Sequence, residues 1–197
     1  MNLALFDFDG TITTADTFTE FIKQTTPKRR KNTGKLVLAP IIVGYKLGFI
    51  PAHKARPKVA HYVFKGRSET EVFEEGKRFA DHYISTVLRR EAIERIQWHK
   101  ENNDRVIVVS ASITPYLSHW CEEYGLELLC SKLEVKNGAL TGHYLGADCS
   151  RHEKVNRINA LLNVSDFNTI YAYGDTLEDH EMLAIADKKY FQWRKIS

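Results

Sequence analysis

Three short, mainly apolar runs, each ending at polar residues, constrain the fold of this 197-residue chain more than any other feature. The runs and the residues at which they stop are 2–8 at Asp9-Gly10, 105–109 at Ser110-Ala111-Ser112, and 169–173 at Gly174-Asp175. Short apolar runs bounded by turn residues are typical of buried β-strands. The sequence therefore predicts three strands with polar side chains at their carboxyl ends.

Helical patterns lie between the second and third runs. The pattern over 113–124 has Pro115 in its first turn and Gly125 just beyond its end, as is usual for a helix. The pattern over about 152–162 places its apolar side chains on one face. Strands that alternate with helices predict an α/β fold with a doubly wound, mainly parallel sheet.

Two segments depart from this alternation. Residues 132–144 contain two alternating runs joined by Asn137-Gly138, a pattern typical of a β-hairpin with a type I′ turn. The residues after the first strand show helical patterns and no buried strand, which predicts an inserted all-helical cap. The expected domains are a core of 1–13 and 91–197 and a cap of 14–90.

The polar residues after the strands are expected to meet, because ligands of open α/β sheets bind at the carboxyl ends of the strands. These residues are Asp7, Asp9, Ser110, Asp175 and Asp179. Carboxylates in one crevice raise one another's pKa values unless a cation lies among them. Oxygen ligands without a His or Cys set favour Mg²⁺ over zinc. The sequence thus predicts a Mg²⁺ site that receives an anionic substrate, most commonly a phosphate.

Asp7 and Asp9 are two positions apart in an extended segment, so both carboxylates can face one reacting centre. One carboxylate can attack phosphorus and form an aspartyl-phosphate. The other can protonate the leaving oxygen and later deprotonate the attacking water. Gly10 allows a sharp turn that brings its N–H near the phosphate.

These motifs resemble those of the haloacid dehalogenase (HAD) superfamily. Asp-Phe-Asp-Gly-Thr at 7–11 is similar to its first motif, and the other three follow in the same order. They are Ser110 after Val-Ile-Val-Val, Lys154, and Gly174-Asp175 followed by Asp179. The helical insert resembles the type 1 cap of the phosphoserine-phosphatase-like subclass IB, and residues 152–155 resemble the third motif of that subclass.

The resemblance implies roles for the matching residues in the reaction. Asp7 would be the nucleophile and a metal ligand. Asp9 would be the general acid/base and would also offer its main-chain carbonyl to the metal. Lys154 would neutralise charge shared by the phosphate and the nucleophile.

The remaining matches imply how the phosphate and the metal are held. Ser110 would hydrogen-bond the transferring phosphoryl group, with Gly10 and Ala111 beside it. Asp175 would bind Mg²⁺ directly. Asp179 would support the metal from outside its coordination sphere or act as an occasional ligand.

Together these roles imply a Mg²⁺-dependent phosphomonoester hydrolase that acts through an aspartyl-phosphate on Asp7. Asp9 favours a phosphatase over haloacid dehalogenases, which lack this second acid, and over transporting ATPases, which have Lys there. A phosphotransferase or mutase would use the same intermediate. A non-catalytic HAD-fold binding protein is a third interpretation, and the complete motif set argues against it.

The substrate class stays open between phosphoserine-like compounds, other small phosphomonoesters and lipid phosphates. Asp16 stands where phosphoserine phosphatases carry a Glu that holds the substrate's amino group. Asp16 can equally be the N-cap residue of the first helix of the cap domain. Arg56 is a candidate for binding a carboxylate. Phosphoserine is not the favoured substrate, because Asp16 is shorter and the surroundings of Arg56 diverge.

The cap also carries Lys28-Arg29-Arg30-Lys31 and then an apolar run from Leu36 to Ile50. We expect this run to be the buried face of a cap helix. The alternative is a weak contact with an anionic membrane surface, or a groove for an acyl chain.

Composition limits the partners and the compartment. A net charge of +3 is too small to indicate a nucleic-acid-binding protein. Three cysteines without metal-ligand spacing, and an N-terminus without a basic signal-peptide region, predict a cytoplasmic protein. The cap leaves open a peripheral position at the inner face of the membrane.

Overall fold

A computed structural model of the protein describes all residues 1–197. Six of its strands form the central sheet. The strands of the protein are β1 (Leu3–Phe6), β2 (Arg105–Ile113), β3 (Glu127–Ser131), β4 (Leu133–Lys136), β5 (Ala139–Tyr144), β6 (Ile170–Gly174), β7 (Lys188–Phe191) and β8 (Arg194–Ile196). The order in the sheet is β3-β2-β1-β6-β7-β8, with β8 antiparallel to β7 and all other neighbours parallel. This confirms the predicted doubly wound, mainly parallel sheet.

Strand β1 lies at the centre of the sheet and is completely buried. Its side chains alternate between the two faces, as a strand's must. Ala4 and Phe6 join the larger hydrophobic core on one face, and Leu3 and Leu5 join the smaller core on the other. Because both faces are covered, β1 is apolar throughout, and the first polar side chain that follows it is Asp7.

Helices cover both faces of the sheet and fill the insert. Of the seven α-helices between β1 and β2, the first six belong to the insert: α1 (Thr17–Thr25), α2 (Lys28–Val37), α3 (Ala39–Lys46), α4 (Ala52–Phe64), α5 (Glu69–Phe79) and α6 (Ser85–Val87). A π-helical turn at Ala80–Ile84 joins the last two. The other helices are α7 (Arg90–Glu101), α8 (Thr114–Tyr124), α9 (His152–Leu161) and α10 (His180–Ala184).

Two linkers attach the helical insert to the sheet, and they lie side by side. Thr13 and Leu88 form an isolated antiparallel bridge. The Thr14 N–H donates to the Val87 carbonyl over 2.8 Å, and the Arg89 N–H donates to the Ile12 carbonyl over 2.8 Å. The paired linkers fix where the insert leaves the carboxyl end of β1. The limits of 14–90 for the cap remain a prediction.

The separate hairpin of β4 and β5 also matches the sequence. Asn137 and Gly138 both have positive φ angles, 53° and 74°, as a type I′ turn requires. The hairpin packs on cap helix α4, where a Cβ at Gly142 would lie 2.8 Å from the His61 carbonyl oxygen. It therefore supports the cap from the core side.

The expectation that Leu36–Ile50 is a buried helix face is wrong. Leu36 and Phe49 are each 81% exposed, and α3 contains no buried residue. Leu38, which is 7% exposed, is an exception. Apolarity alone predicts burial only where a partner surface exists, and α3 has only its neighbouring helices beside it. No helix in the protein is both long enough and apolar enough to cross a membrane.

Gly76 provides a test of how closely the insert packs on the core. In α5 it faces the start of α8, and a Cβ there would lie 2.0 Å from the Pro115 carbonyl oxygen. Alanine favours a helix over glycine by about 1 kcal/mol, but overpacking against a fixed main chain costs about 1–3 kcal/mol. We expect Gly76→Ala to lower the free energy of unfolding, as measured by urea denaturation. Exposed Lys77→Ala on the same helix is the control, and equal stability of the two variants would contradict the close packing.

Candidate active site

The carboxyl ends of β1, β2 and β6 bring the predicted polar residues together. Phe6 at the end of β1 pairs in register with Val108 and with Tyr173, and β2 continues beyond this level through Ser110 to Ile113. Carboxylate oxygens of Asp7, Asp175 and Asp179 lie within 4.8 Å of one another. The parallel register therefore places residues from opposite ends of the sequence in one cluster.

Lys154 is the cation of this cluster. It lies in the first turn of α9, is 1% exposed, and its Nζ is 2.6 Å from Oδ1 of Asp7 and 2.6 Å from Oδ1 of Asp179. Burial lowers the pKa of Lys154, but Asp179 and Asp7 raise it by more, so the ammonium stays charged. A helix start that faces the strand ends explains why this lysine reaches the cluster.

Three carboxylates share one buried ammonium, and their pKa values divide accordingly. Burial raises the pKa of Asp179, yet Lys154 and two backbone N–H groups lower it by more. Burial raises the pKa of Asp7, and the charge of Asp179 raises it further against the opposing effect of Lys154. Burial and Asp179 raise the pKa of Asp175 to about 6. Lys154 thus compensates Asp179, and the charges of Asp7 and Asp175 remain for a cation to offset.

These residues fit Mg²⁺. The donors are carboxylate oxygens, the excess charge is that of a divalent ion, and no Cys or His belongs to the cluster. Asp7 and Asp175 both line the cavity, and each can offer one carboxylate oxygen to a cation. Two ligand groups therefore remain available.

Asp179 is fully engaged in holding its neighbours. Oδ1 accepts from Lys154, and Oδ2 accepts from the N–H groups of Asp175 and Thr176 over 3.1 and 3.0 Å. The second set is part of a capping box around Thr176. Of the two predicted roles for Asp179, this geometry favours support from outside the coordination sphere.

Two features require a glycine at position 10: its backbone conformation and the closeness of Asp175. Its φ angle is +79°, and a Cβ would lie 2.0 Å from Oδ2 of Asp175. A side chain at this position would displace a metal-binding candidate. Thr11, which sequence reasoning did not single out, lies 3.5 Å from Oδ1 of Asp175.

The Asp9 side chain is turned toward the start of α1. Its Oδ1 accepts from the N–H and the hydroxyl of Thr17 over 2.7 and 2.5 Å, and its Oδ2 accepts from the hydroxyl of Ser112. Burial raises the pKa of Asp9, while these hydrogen bonds oppose the rise. Sequence analysis missed Thr17 and Ser112 as partners. The Ser110-Ala111-Ser112 spacing was the available signal, since alternate residues of a strand share a face.

Ser110 and Ala111, two of the predicted phosphate-binding residues, line the same cavity as Asp7. Ser110 is 1% exposed, and its Oγ accepts from the Ser112 N–H over 3.1 Å. The hydroxyl hydrogen of Ser110 is therefore available to a ligand. A register shift of β2 between Ser110 and Ile113 accompanies this arrangement.

Asp16 and Arg56 line the same cavity but are already paired. Asp16 caps α1 and accepts from the Thr19 N–H and hydroxyl over 2.9 and 2.6 Å. Arg56 donates two hydrogen bonds to Asp148, of 2.9 and 2.8 Å, and one of 2.8 Å to Glu178. Arg56 thus joins cap helix α4 to two core loops. Its partners are 92 and 122 residues away, which no local pattern could indicate.

The cavity over the carboxylates has a volume of about 940 Å³ and two different ends. Its core end carries the acids, Ser110 and Lys154. Its cap end is lined by a mainly apolar set that includes Phe18, Ile22, Leu38, Ile41, Ile42 and Val59. A ligand that fills it would place an anionic group on the sheet and an apolar group under the cap.

The charge imbalance predicts an unusual gain of stability. A carboxyl with a raised pKa binds its proton more tightly in the folded state, so its unfavourable contribution grows from about pH 4 and is complete above about pH 6. Asp175→Asn removes this repelled charge and should stabilise the metal-free protein at neutral pH. The expected gain is only about 1 kcal/mol, because solvent screens part of the repulsion. The gain should vanish below about pH 4, and Mg²⁺ should stabilise the variant less than the wild type.

Thermal unfolding in EDTA and in Mg²⁺ measures both effects. Exposed Asp81→Asn is the control. If Asp175→Asn in EDTA is no more stable than the wild type at neutral pH, the carboxylates do not repel one another as described.

Comparisons with known proteins agree with this arrangement. A family model described as haloacid dehalogenase-like hydrolase matches residues 4–184. Protein CicA of Caulobacter vibrioides is 29% identical over 194 residues, covering 96% of this chain and 85% of CicA.

Two solved structures are similar in fold. A protein of unknown function from Bordetella pertussis Tohama I has a TM-score of 0.82 at 22% identity, with coverage of 96% of this chain and 89% of that one. A substrate-bound phosphoserine phosphatase has a TM-score of 0.69 at 23% identity, with coverage of 96% and 85%. Since the family model spans most of the chain and its motifs meet at one site, this protein belongs to the haloacid dehalogenase-like hydrolase family, with a phosphoserine-phosphatase-like fold.

Proposed function

We propose that this protein is a Mg²⁺-dependent phosphatase that transfers the phosphoryl group of a phosphomonoester to Asp7 and then to water. The observation that carries the proposal is the buried contact of 2.6 Å between Asp7 Oδ1 and Lys154 Nζ at the floor of the cavity. One oxygen of the nucleophile is fixed and partly neutralised, while the other is free to attack. Membership of a hydrolase family supports the same reaction class.

Asp7 and Asp175 are the side chains that would hold Mg²⁺, with the Asp9 main-chain carbonyl as the third protein ligand implied by the family resemblance. When bound, the ion would offset the charge of the carboxylates and of the phosphoryl oxygens. Asp179 would keep Asp175 and Lys154 in place through the contacts described above. The remaining steps belong to the residues of the chain.

Oδ2 of Asp7 attacks phosphorus, and the bond from phosphorus to the leaving oxygen breaks. Lys154 keeps its positive charge beside Oδ1 during this step, because its raised pKa prevents loss of the proton. The Ser110 hydroxyl and the Gly10 N–H are the donors for the phosphoryl oxygens. These groups come from the start of α9, from β2 and from the turn after β1.

Asp9 is the proton carrier. Its burial and raised pKa favour a protonated carboxyl, which can give its proton to the leaving oxygen. The resulting carboxylate then takes a proton from the water that attacks the aspartyl-phosphate. Thr17 and Ser112 bind the Asp9 carboxyl, whereas Lys154 binds Asp7, so the acid and the nucleophile have different partners.

The pairing of Arg56 bears on the substrate. Its charge is compensated within the protein by Asp148 and Glu178, so a substrate carboxylate would have to displace these partners. Asp16 caps α1 through Thr19 and keeps its negative charge at the surface of the cavity. The apolar cap end of the cavity instead favours a phosphomonoester with an apolar portion over phosphoserine.

The test compares wild type and Asp9→Asn on alkyl and aryl phosphates by direct measurement of inorganic phosphate, with no acceptor other than water. Wild type should release phosphate in Mg²⁺ and lose this activity in EDTA. Asp9→Asn should lose about 10²–10⁴-fold with alkyl phosphates, and less with aryl phosphates whose leaving groups need little protonation. Exposed Asp81→Asn should retain full activity.

The alternatives give different results. Turnover that needs an added acceptor would indicate a phosphotransferase or mutase. No turnover with any phosphomonoester would favour a binding protein. Equal losses of Asp9→Asn with both substrate classes would remove Asp9 from the role of acid.

A further inference from the structure

We propose that the exposed surface of residues 28–49, which we name the cap surface, docks on an anionic lipid bilayer. The proposal deepens the proposed function, because docking would present the cavity to phosphomonoesters in or near the bilayer. Three independent features of the cap surface support it: its exposed apolar side chains, its charge, and its continuity with the cavity.

The cap surface concentrates the exposed apolar side chains of the protein. Seven of the fourteen exposed large hydrophobic residues lie within the fourteen residues 36–49. They are Leu36, Val37, Ile42, Val43, Tyr45, Leu47 and Phe49. Single exposed apolar residues are ordinary, but a concentration of this kind marks an interaction surface.

The tip of the cap surface is an ordered turn. The N–H groups of Phe49 and Ile50 both donate to the Gly44 carbonyl, over 2.8 and 3.0 Å, and Gly48 has a φ angle of +78°. A Cβ at Gly44 would lie 2.7 Å from Ile50 Cδ1, so Ile50 closes back onto α3. Leu47 and Phe49 are consequently held outward at 64% and 81% exposure.

The charge of this region complements an anionic partner. Residues 21–68 contain twelve lysines and arginines and no aspartate or glutamate, although the whole chain carries only +3. Arg30 is spent on the Val63 and Lys65 carbonyls and Lys31 on the Lys23 carbonyl. Lys28, Arg29, Lys35 and Lys46 have no such partner and are exposed.

A bilayer satisfies both features at once. Basic side chains attract anionic headgroups, and apolar side chains enter the boundary between headgroups and acyl chains. Since no helix can span a membrane, the fit is to the bilayer surface. A protein partner would need a matching acidic rim around an apolar patch, and a second copy of this chain would bring its own basic residues against these.

The cap surface continues into the cavity. In helix α3, Val43 is exposed, Ile41 lines the cavity, and Ile42 is both exposed and part of the cavity lining. The same short helix therefore borders both the proposed lipid contact and the space above Asp7. A phosphomonoester with an apolar portion could pass from the bilayer surface to the carboxylates along this wall.

Sedimentation with phosphatidylcholine vesicles, with and without phosphatidylglycerol, tests the proposal. Anionic vesicles should sediment more of the wild-type protein than neutral vesicles do, and about 1 M salt should reverse this. The triple variant Lys28→Gln, Arg29→Gln, Lys35→Gln should lower the partition coefficient by about fivefold per charge removed. Its matched control is Lys188→Gln, Arg194→Gln, Lys195→Gln, three exposed charges on β7 and β8.

Phe49→Ser tests the apolar contact, with a decrease in partition coefficient of roughly tenfold or more. Exposed Leu145→Ser is its control. Hydrolysis of a soluble aryl phosphate should be unchanged in all these variants, which shows that they fold and separates this proposal from the proposed function.

Three results would overturn docking while leaving the phosphatase intact. They are equal binding to anionic and neutral vesicles at low salt, equal effects of the test and control variants, and a dimer in solution that Phe49→Ser dissociates while vesicles bind nothing. Vesicle binding without hydrolysis of any phosphomonoester would instead support the cap surface and contradict the proposed function.

Discussion

The structure depends on one buried ammonium that faces three carboxylates. Lys154 contacts Asp7 and Asp179 directly, and Asp175 completes the cluster. Charges so far from water are stable only when they are paired and hydrogen-bonded, and here one positive group cannot pair with three negative ones. The unpaired charge makes the site receptive to a divalent cation, and with it to the anionic group of a substrate.

The arrangement of strands in the sheet positions the residues of this cluster. A central, wholly apolar β1 with parallel neighbours in register brings Asp7, Ser110 and the end of β6 to one edge of the sheet. The helical insert leaves at this same edge, so its cavity necessarily lies over the acids. The contact of Arg56 with Asp148 and Glu178 then ties cap helix α4 to the core across the cavity. The connection from the end of β1 to the helical insert thus determines where the insert lies. It also determines that the insert encloses the cavity and leaves the cap surface exposed.

The positions of most candidate site residues could be predicted, because these residues stand next to apolar runs or helix starts that are visible in the sequence. Asp7, Ser110 and Asp175 each follow or close an apolar run, and Lys154 opens a helix with a clear apolar face. Strands β7 and β8 were not predicted, because their short segments carry lysines and arginine, and β7 is only partly buried while β8 is exposed. Strand β3 was also missed, since Glu127 begins it and only its last two residues are buried.

The partners of charged residues could not be predicted, because they depend on tertiary structure. Asp9 faces Thr17 and Ser112, and Arg56 faces two acids from distant loops, although each residue alone was a candidate for substrate contact. The prediction that Leu36–Ile50 would be buried failed for a related reason. A hydrophobic pattern shows that a segment favours an apolar environment, but it does not show whether the protein itself provides one.

The central claim is that Asp7 carries the phosphoryl group, and trapping that intermediate tests it most directly. Reaction with an aryl phosphate and Mg²⁺ can be quenched on the millisecond scale and treated with borohydride, which reduces an aspartyl-phosphate to homoserine. Peptide mass spectrometry then locates the product. We expect homoserine at position 7 of the wild-type protein only when substrate is present, and no homoserine in the Asp7→Asn variant. Steady phosphate release with unmodified Asp7 throughout the reaction, or a phosphoryl group on another residue, would contradict it.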